Sequence, residues 1–261
     1  MNRVIDYYNL LVEKFEKIEK KSTENETHDK RVILKRIFPV ILAYGIGLKK
    51  IKNGKKAFKL YGKLRDIQVQ IIIIKSKDNT REFSDYFSFL KESESKLREN
   101  TTKFSNKHKV RFPKIAENAE IDKVKIHRKI KKSQDKLTKI VQSGLAENGK
   151  AIHKVRLVFK NFRYWVETIS LVEFVDGTLL EKIKNYQDKL GEIQDYEVLI
   201  EGINKFYKNR DDKEKSKVIQ FETYQKELIN NFMNEIPTII LACSQPVSKE
   251  NNTGISQYAG D

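Results

Sequence analysis

The apolar positions of this chain recur three and four residues apart over most of its length, the spacing that gathers them on one side of an α-helix. Ile33, Leu34, Ile37, Val40 and Ile41 share one such face. Val155, Val158, Phe159, Phe162, Trp165, Val166 and Ile169 share another. The opening MNRVIDYYNLLVEKFEKIEKK mixes acids and bases through its apolar positions. It reads as an amphipathic helix, unlike a signal peptide or a membrane span. The β-branched run Ile71 to Ile74 is the one local hint of strand, and its helical context overrides it. Breakers at Asn53-Gly54, Asp78-Asn79, Phe112-Pro113, Asn148-Gly149, Asp176-Gly177 and Pro237 separate long segments of helical period. Long helices joined by short turns pack as antiparallel bundles, so the pattern predicts an all-α fold. From Ser244 onward the residues are mostly small or polar, and 244–261 is expected to be a flexible tail.

The sides of these helices that face away from the core carry the chemistry. Counting at roughly 100° per residue, Arg31 and Lys35 fall within about 60° of His28, and Arg156, Lys160 and Arg163 within about 80° of His153. No acid shares either stripe. Like charges at this spacing repel along a helix, so a concentrated stripe of one sign calls for an external counter-charge. A polyanion is the simplest one.

Composition agrees with that reading without deciding it. The net charge of +16 draws phosphate-rich partners in general, and 39% hydrophobic residues with regular spacing argue against wholesale disorder. A chain of 261 residues has room for one large domain or two small ones. Cys243 is the only cysteine, which excludes an intrachain disulfide and fits a reducing compartment.

The two stripes belong to an internal repeat. His28, Arg31 and Lys35 match His153, Arg156 and Lys160, and YGKLRDIQV from Tyr61 matches LGEIQDYEV from Leu190. Gly62, Asp66 and Val69 then align with Gly191, Asp195 and Val198. A glycine there would let helices approach closely, and the aspartate would orient a cation or cap a turn. A lone basic stripe is usually a solvated face. The same residue types at the same spacing twice, beside a second matching segment, argue against that reading here.

This duplicated pattern, a histidine with an arginine three on and a lysine four further, then a glycine and an aspartate, resembles the CHAD family, the conserved histidine α-helical domain. HKVRLVFKNFRYWVE is particularly similar to the family's second motif, through His153, Arg156, Lys160, Arg163, Tyr164 and Glu167. The resemblance spans roughly 24–201. It implies two pseudo-symmetric antiparallel four-helix bundles around a basic central groove or pore, and binding of inorganic polyphosphate without catalysis or cofactor. One CHAD-like domain over 1–243 follows, its first repeat about 1–147 and its second about 148–243. A cytoplasmic protein associated with polyphosphate granules and with polyphosphate-processing enzymes is the matching expectation. Two departures shorten the stripes, Phe38 and Asn161, where the family usually has a basic residue. Pro39 inside the first motif helix removes one backbone hydrogen bond and is expected to kink it.

The residue types suit the ligand. Neutralising several phosphates releases condensed counterions, and binding then weakens steeply with salt. Arginine's planar fork grips two phosphate oxygens and fixes geometry, whereas lysine supplies a mobile point charge. The candidate polyphosphate contacts are His28, Arg31, Lys35, Arg36, His153, Arg156, Lys160 and Arg163, with Arg65, Lys154, His127 and Lys131 as additional wall residues. Both motif histidines are expected to gain a proton on binding. His108 and His127 belong to no repeated constellation.

Two alternatives use the same cations. A nucleic-acid binder would add exposed aromatics for stacking, yet Phe159, Phe162 and Trp165 lie on the inward face, with Tyr164 an exception. A polyphosphate-hydrolysing enzyme would need acids near the stripes to hold magnesium, and none is evident, so no metal site is assigned. ESESK at 92–96 matches the E-x-E-x-K signature of triphosphate tunnel enzymes. That chemistry requires a strand, and FSFLKESESKLREN reads as helix, on which Glu92 and Glu94 diverge by about 200°.

Overall fold

The computed structural model describes residues 3–18, 24–77, 79–142, 149–208 and 218–244; the expected tail beyond Ser244 lies outside them. Among the described residues the chain forms eight α-helices and no strand: α1 (Arg3–Lys17), α2 (Glu24–Ala43), α3 (Gly54–Ser76), α4 (Ser84–Lys107), α5 (Lys123–Gln142), α6 (Gly149–Ile169), α7 (Gly177–Phe206) and α8 (Ile219–Ser244). The run Ile71 to Ile74 is helical within α3, as its context required. ESESK lies in α4, where Glu92 meets Lys96 and Glu94 meets Arg98 four residues on, so the pentapeptide is a set of helical ion pairs.

The helix ends follow from local chemistry. Gly45 takes a positive φ of 73°, its N–H donating to the Leu42 carbonyl and that of Ile46 to the Ile41 carbonyl, the Schellman pattern that stops α2. Asn53, left-handed at φ 62°, starts α3 and donates from its side chain to the Lys109 carbonyl at 3.1 Å. Asp176 caps α7 by accepting from the Thr178 N–H at 2.8 Å. α2 continues as one helix past Pro39, whose side chain is buried.

Sequential helices pack on one another from α1 to α4 and again from α5 to α8, and α5 also packs on α8. The halves meet where α2 crosses α6 and α3 crosses α7. Phe159, Phe162, Val166 and Ile169 of α6 are fully buried in one core with Ile183, Leu190 and Phe232. Leu34, Ile37 and Ile41 of α2 anchor a second with Val4, Tyr8 and Ala57. A third core joins the halves, packing Ile74, Phe83 and Leu90 against Leu199, Ile203 and Phe221. Burying both apolar faces turns the basic sides of α2 and α6 toward each other.

Candidate functional site: a basic cluster between α2 and α6

Lys35 shows how close the two stripes come. It is half-buried on α2, and its ammonium is pulled down to about 7, first by burial and then by Arg31 of its own helix and Lys160, Arg156 and Arg163 of α6. Lys160 is lowered by burial, Arg156 and Arg31. Cations 120 residues apart in sequence therefore share one poorly solvated space.

The repeat aspartates set the cations in place. Asp66 of α3 lies 3.5 Å from Arg31 Nη1. Asp195 of α7 interacts most strongly with Arg156, then with Arg65, and burial pushes it up to about 6 against their pull. Asp66 thus pairs with a cation as residue type suggests, while Asp195 acts on Arg156 electrostatically. The glycine reading needs correction. A Cβ on Gly62 would lie 3.8 Å from the Arg31 guanidinium, so Gly62 clears space for a side chain and not for a helix backbone. Gly191 has nothing within 4 Å of that position, so its counterpart does neither.

Each motif histidine meets the residue that precedes the repeat aspartate. His153 Nδ1 donates to Gln194 Oε1 at 2.7 Å. His28 faces Arg65, the matching residue of the first half, and burial, Arg65, Lys35 and Arg31 hold its pKa below the ordinary value. Gln194 escaped the sequence reading, although aligning the two copies sets it opposite Arg65. The difference between cation and amide makes the two histidines inequivalent.

Other candidates take up separate positions. Arg163 Nε donates to Glu167 Oε1 at 2.6 Å and its guanidinium lies 6.0 Å from the Tyr164 ring, so an acid does share the second stripe's far end. Arg36 points toward Tyr164 and the α1 residue Tyr7, at the rim of the cluster. Lys154 is exposed on α6. His127 donates to Glu173 at 2.8 Å and Lys131 pairs with Asp135 at 3.2 Å, each engaged on α5 with a partner of its own. Phe38 packs edge-on at 5.6 Å against Phe58, over which Arg31 lies at 5.7 Å. The residue that costs the first stripe a cation thereby buttresses the platform of another.

The buried Nε of Arg31 has no hydrogen-bond acceptor among the described residues. A donor of that kind is costly unless an anion or water meets it. The arrangement can grip phosphate oxygens from two sides of one groove, with α2 and α6 as facing walls and two aspartates holding the arginines in register. In a comparison with protein families, the CHAD domain model matches residues 50–203. The chain belongs to the CHAD domain family. Within this CHAD domain the second motif lies inside the matched residues, whereas α2 with His28, Arg31 and Lys35 precedes them. The crystal structure of the CHAD domain from the plant Ricinus communis superposes with a TM-score of 0.59 at 11% sequence identity, covering 87% of this chain and 84% of that one. The CHAD fold is thus shared far beyond recognisable sequence. A search of curated proteins finds no match.

Proposed function

We propose that this CHAD domain binds inorganic polyphosphate without catalysing its turnover, gripping the chain between the facing basic walls of α2 and α6. The observation that carries the proposal is Lys35 of the first half surrounded by Arg156, Lys160 and Arg163 of the second. Cations held this close in partial burial are costly in the free protein, and a phosphate chain lying among them relieves that cost along its length. The unmatched Arg31 Nε adds a directed donor. In this reading the two halves are pseudo-symmetric four-helix bundles of one domain over 1–243, and the groove between them is the single site. His28 and Arg65 extend the first wall, and His153 and Lys154 the second. The family's polyphosphate association supports the ligand class, with recruitment of polyphosphate-processing enzymes in the cytoplasm or at polyphosphate granules as the purpose.

The test is a titration of the full chain with long-chain polyphosphate and with RNA of matched charge at several salt concentrations. Polyphosphate should bind more tightly, and Arg156→Glu with Lys160→Glu should lower its affinity at least tenfold and flatten the salt dependence. Tighter binding of RNA would overturn the ligand assignment. Release of phosphate from polyphosphate in the presence of magnesium would overturn the non-catalytic reading.

A further inference from the structure

Beyond the central cluster, α5 carries a second basic feature that the motifs do not include. Lys125, Lys129, Lys132 and Lys136 recur on one face of α5 and line a cleft of about 390 Å³ against α6 and the end of α2. Leu42 closes it on the α2 side, and Val158, Asn161 and Trp165 form its α6 wall. Among the described residues no carboxylate lines it.

The four lysines differ in what they do. Lys125 is committed to the fold, its ammonium donating to the Leu42 carbonyl at 2.8 Å and so satisfying the C-terminal end of α2. The Asp122 N–H donates to the Ala43 carbonyl at 3.0 Å, which pins the start of α5 to the same helix end. Lys129, Lys132 and Lys136 are exposed, and among the described residues none of them makes an ion pair. Their neighbours outside the cleft behave otherwise, Lys123 pairing with Glu173 and Lys131 with Asp135. Carboxylates of the described residues therefore neutralise lysines beside the cleft and leave the three inside it free.

The cleft and the central cluster share two helices, lying on one face of α2 but on opposite flanks of α6, where Val158 and Trp165 face away from the basic stripe. On α2, Leu42 lies seven residues beyond Lys35, on nearly the same face and about 10 Å further along the axis. On α6, Asn161 directly follows Lys160. A chain leaving Lys35 and Lys160 has to cross the exposed face of α6 past Asn161 to reach the lysines of α5.

We infer that the α5 cleft is a second segment of the polyphosphate track, engaged by chains long enough to extend out of the central cluster. The inference rests on the polyphosphate reading above and adds to it a basis for preferring long chains. Asn161 then has a use: at the junction it leaves a neutral, exposed point over which the chain passes from α6 to α5. The cleft lysines act as mobile point charges and not as forks, which suits a flexible chain held without fixed register.

The experiment compares tripolyphosphate with long-chain polyphosphate on the full-length wild type, on the triple variant Lys129→Gln, Lys132→Gln, Lys136→Gln, and on a control that removes equal charge from α5 outside the cleft, Lys123→Gln, Arg128→Gln, Lys139→Gln. The cleft variant should bind the long chain about tenfold more weakly with a salt slope shallower by about 2, and tripolyphosphate as the wild type does. The control should retain most of the long-chain affinity. Unchanged long-chain affinity in the cleft variant, or an equal loss in the control, overturns the cleft while leaving the central site standing. A cleft variant impaired toward RNA but not toward polyphosphate assigns the cleft to nucleic acid and overturns it equally. Wild type that binds polyphosphate of no length removes the central reading, and this inference with it.

Discussion

At the residue scale the fold adds pH-responsive groups to the histidines that the sequence nominates. Among the motif histidines, His28 is pressed below its ordinary range by burial and Arg65. Burial brings Lys35 down to about 7 and Asp195 up to about 6, both into the range around neutrality. A bound polyanion favours the charged lysine and the neutral aspartic acid, so both take up protons on binding. Long-chain affinity should then rise about tenfold from pH 8 to pH 6. Isothermal titration across that range checks it, and Lys35→Arg should flatten the upper limb and Asp195→Asn the lower. In the free protein the sign is opposite for Lys35. Its folded pKa lies below its unfolded value, so between about 7 and 10.5 the unfolded chain holds more protons and stability rises with pH. The melting temperature should climb from pH 7 to pH 9, and Lys35→Met should abolish its share of that climb.

At the scale of elements, three glycines of α3 and α7 separate by what surrounds them. Gly62 meets only the Arg31 guanidinium at ordinary contact distance and Gly191 meets nothing. Alanine at either position should stabilise the helix by about 0.5–1 kcal/mol in a denaturant melt. Gly62→Leu should instead displace Arg31 and weaken polyphosphate binding with little loss of stability. Gly202 is the demanding one. A Cβ there would overlap the Tyr86 hydroxyl and approach Gln70 Oε1, the two partners of a buried hydrogen bond between α4 and α3. Gly202→Ala should cost about 1–3 kcal/mol, read as a lowered denaturation midpoint. The sequence marks Gly62 and Gly191 because they repeat, and passes over Gly202, whose constraint comes from a tyrosine more than a hundred residues away.

At the scale of the whole molecule, the third core decides how the halves behave. It draws Ile71, Ile74, Phe83 and Leu90 from the first half and Leu199, Ile203 and Phe221 from the second, so neither half can keep its apolar surface covered alone. Thermal unfolding should be one cooperative transition by both circular dichroism and tyrosine fluorescence. Leu199→Ala should lower that single transition by about 2–5 kcal/mol rather than split it. Two separated transitions would show the halves to be independent domains.

The chain by itself determined the helices, their buried faces and the identity of the two basic stripes, because a helix's period is written in the spacing of neighbouring residues. The repeat even carried the aspartates toward their arginines, since Asp66 and Asp195 recur at similar separations, 35 and 39 residues, from Arg31 and Arg156. Which faces meet was decided only by packing. That Lys35 lies among Arg156, Lys160 and Arg163 depends on α2 crossing α6, a contact between segments some 120 residues apart to which no local pattern points. The pairing of Arg163 with Glu167 lies at four residues' separation, a spacing that the reading of an acid-free stripe passed over, whereas the meeting of His127 with Glu173 and the free lysines of α5 followed from where α5 docks. Charge shifts such as that of Lys35 belong mostly to tertiary structure, because apart from Arg31 on the same helix they arise from lost solvent and from neighbours that only the fold supplies.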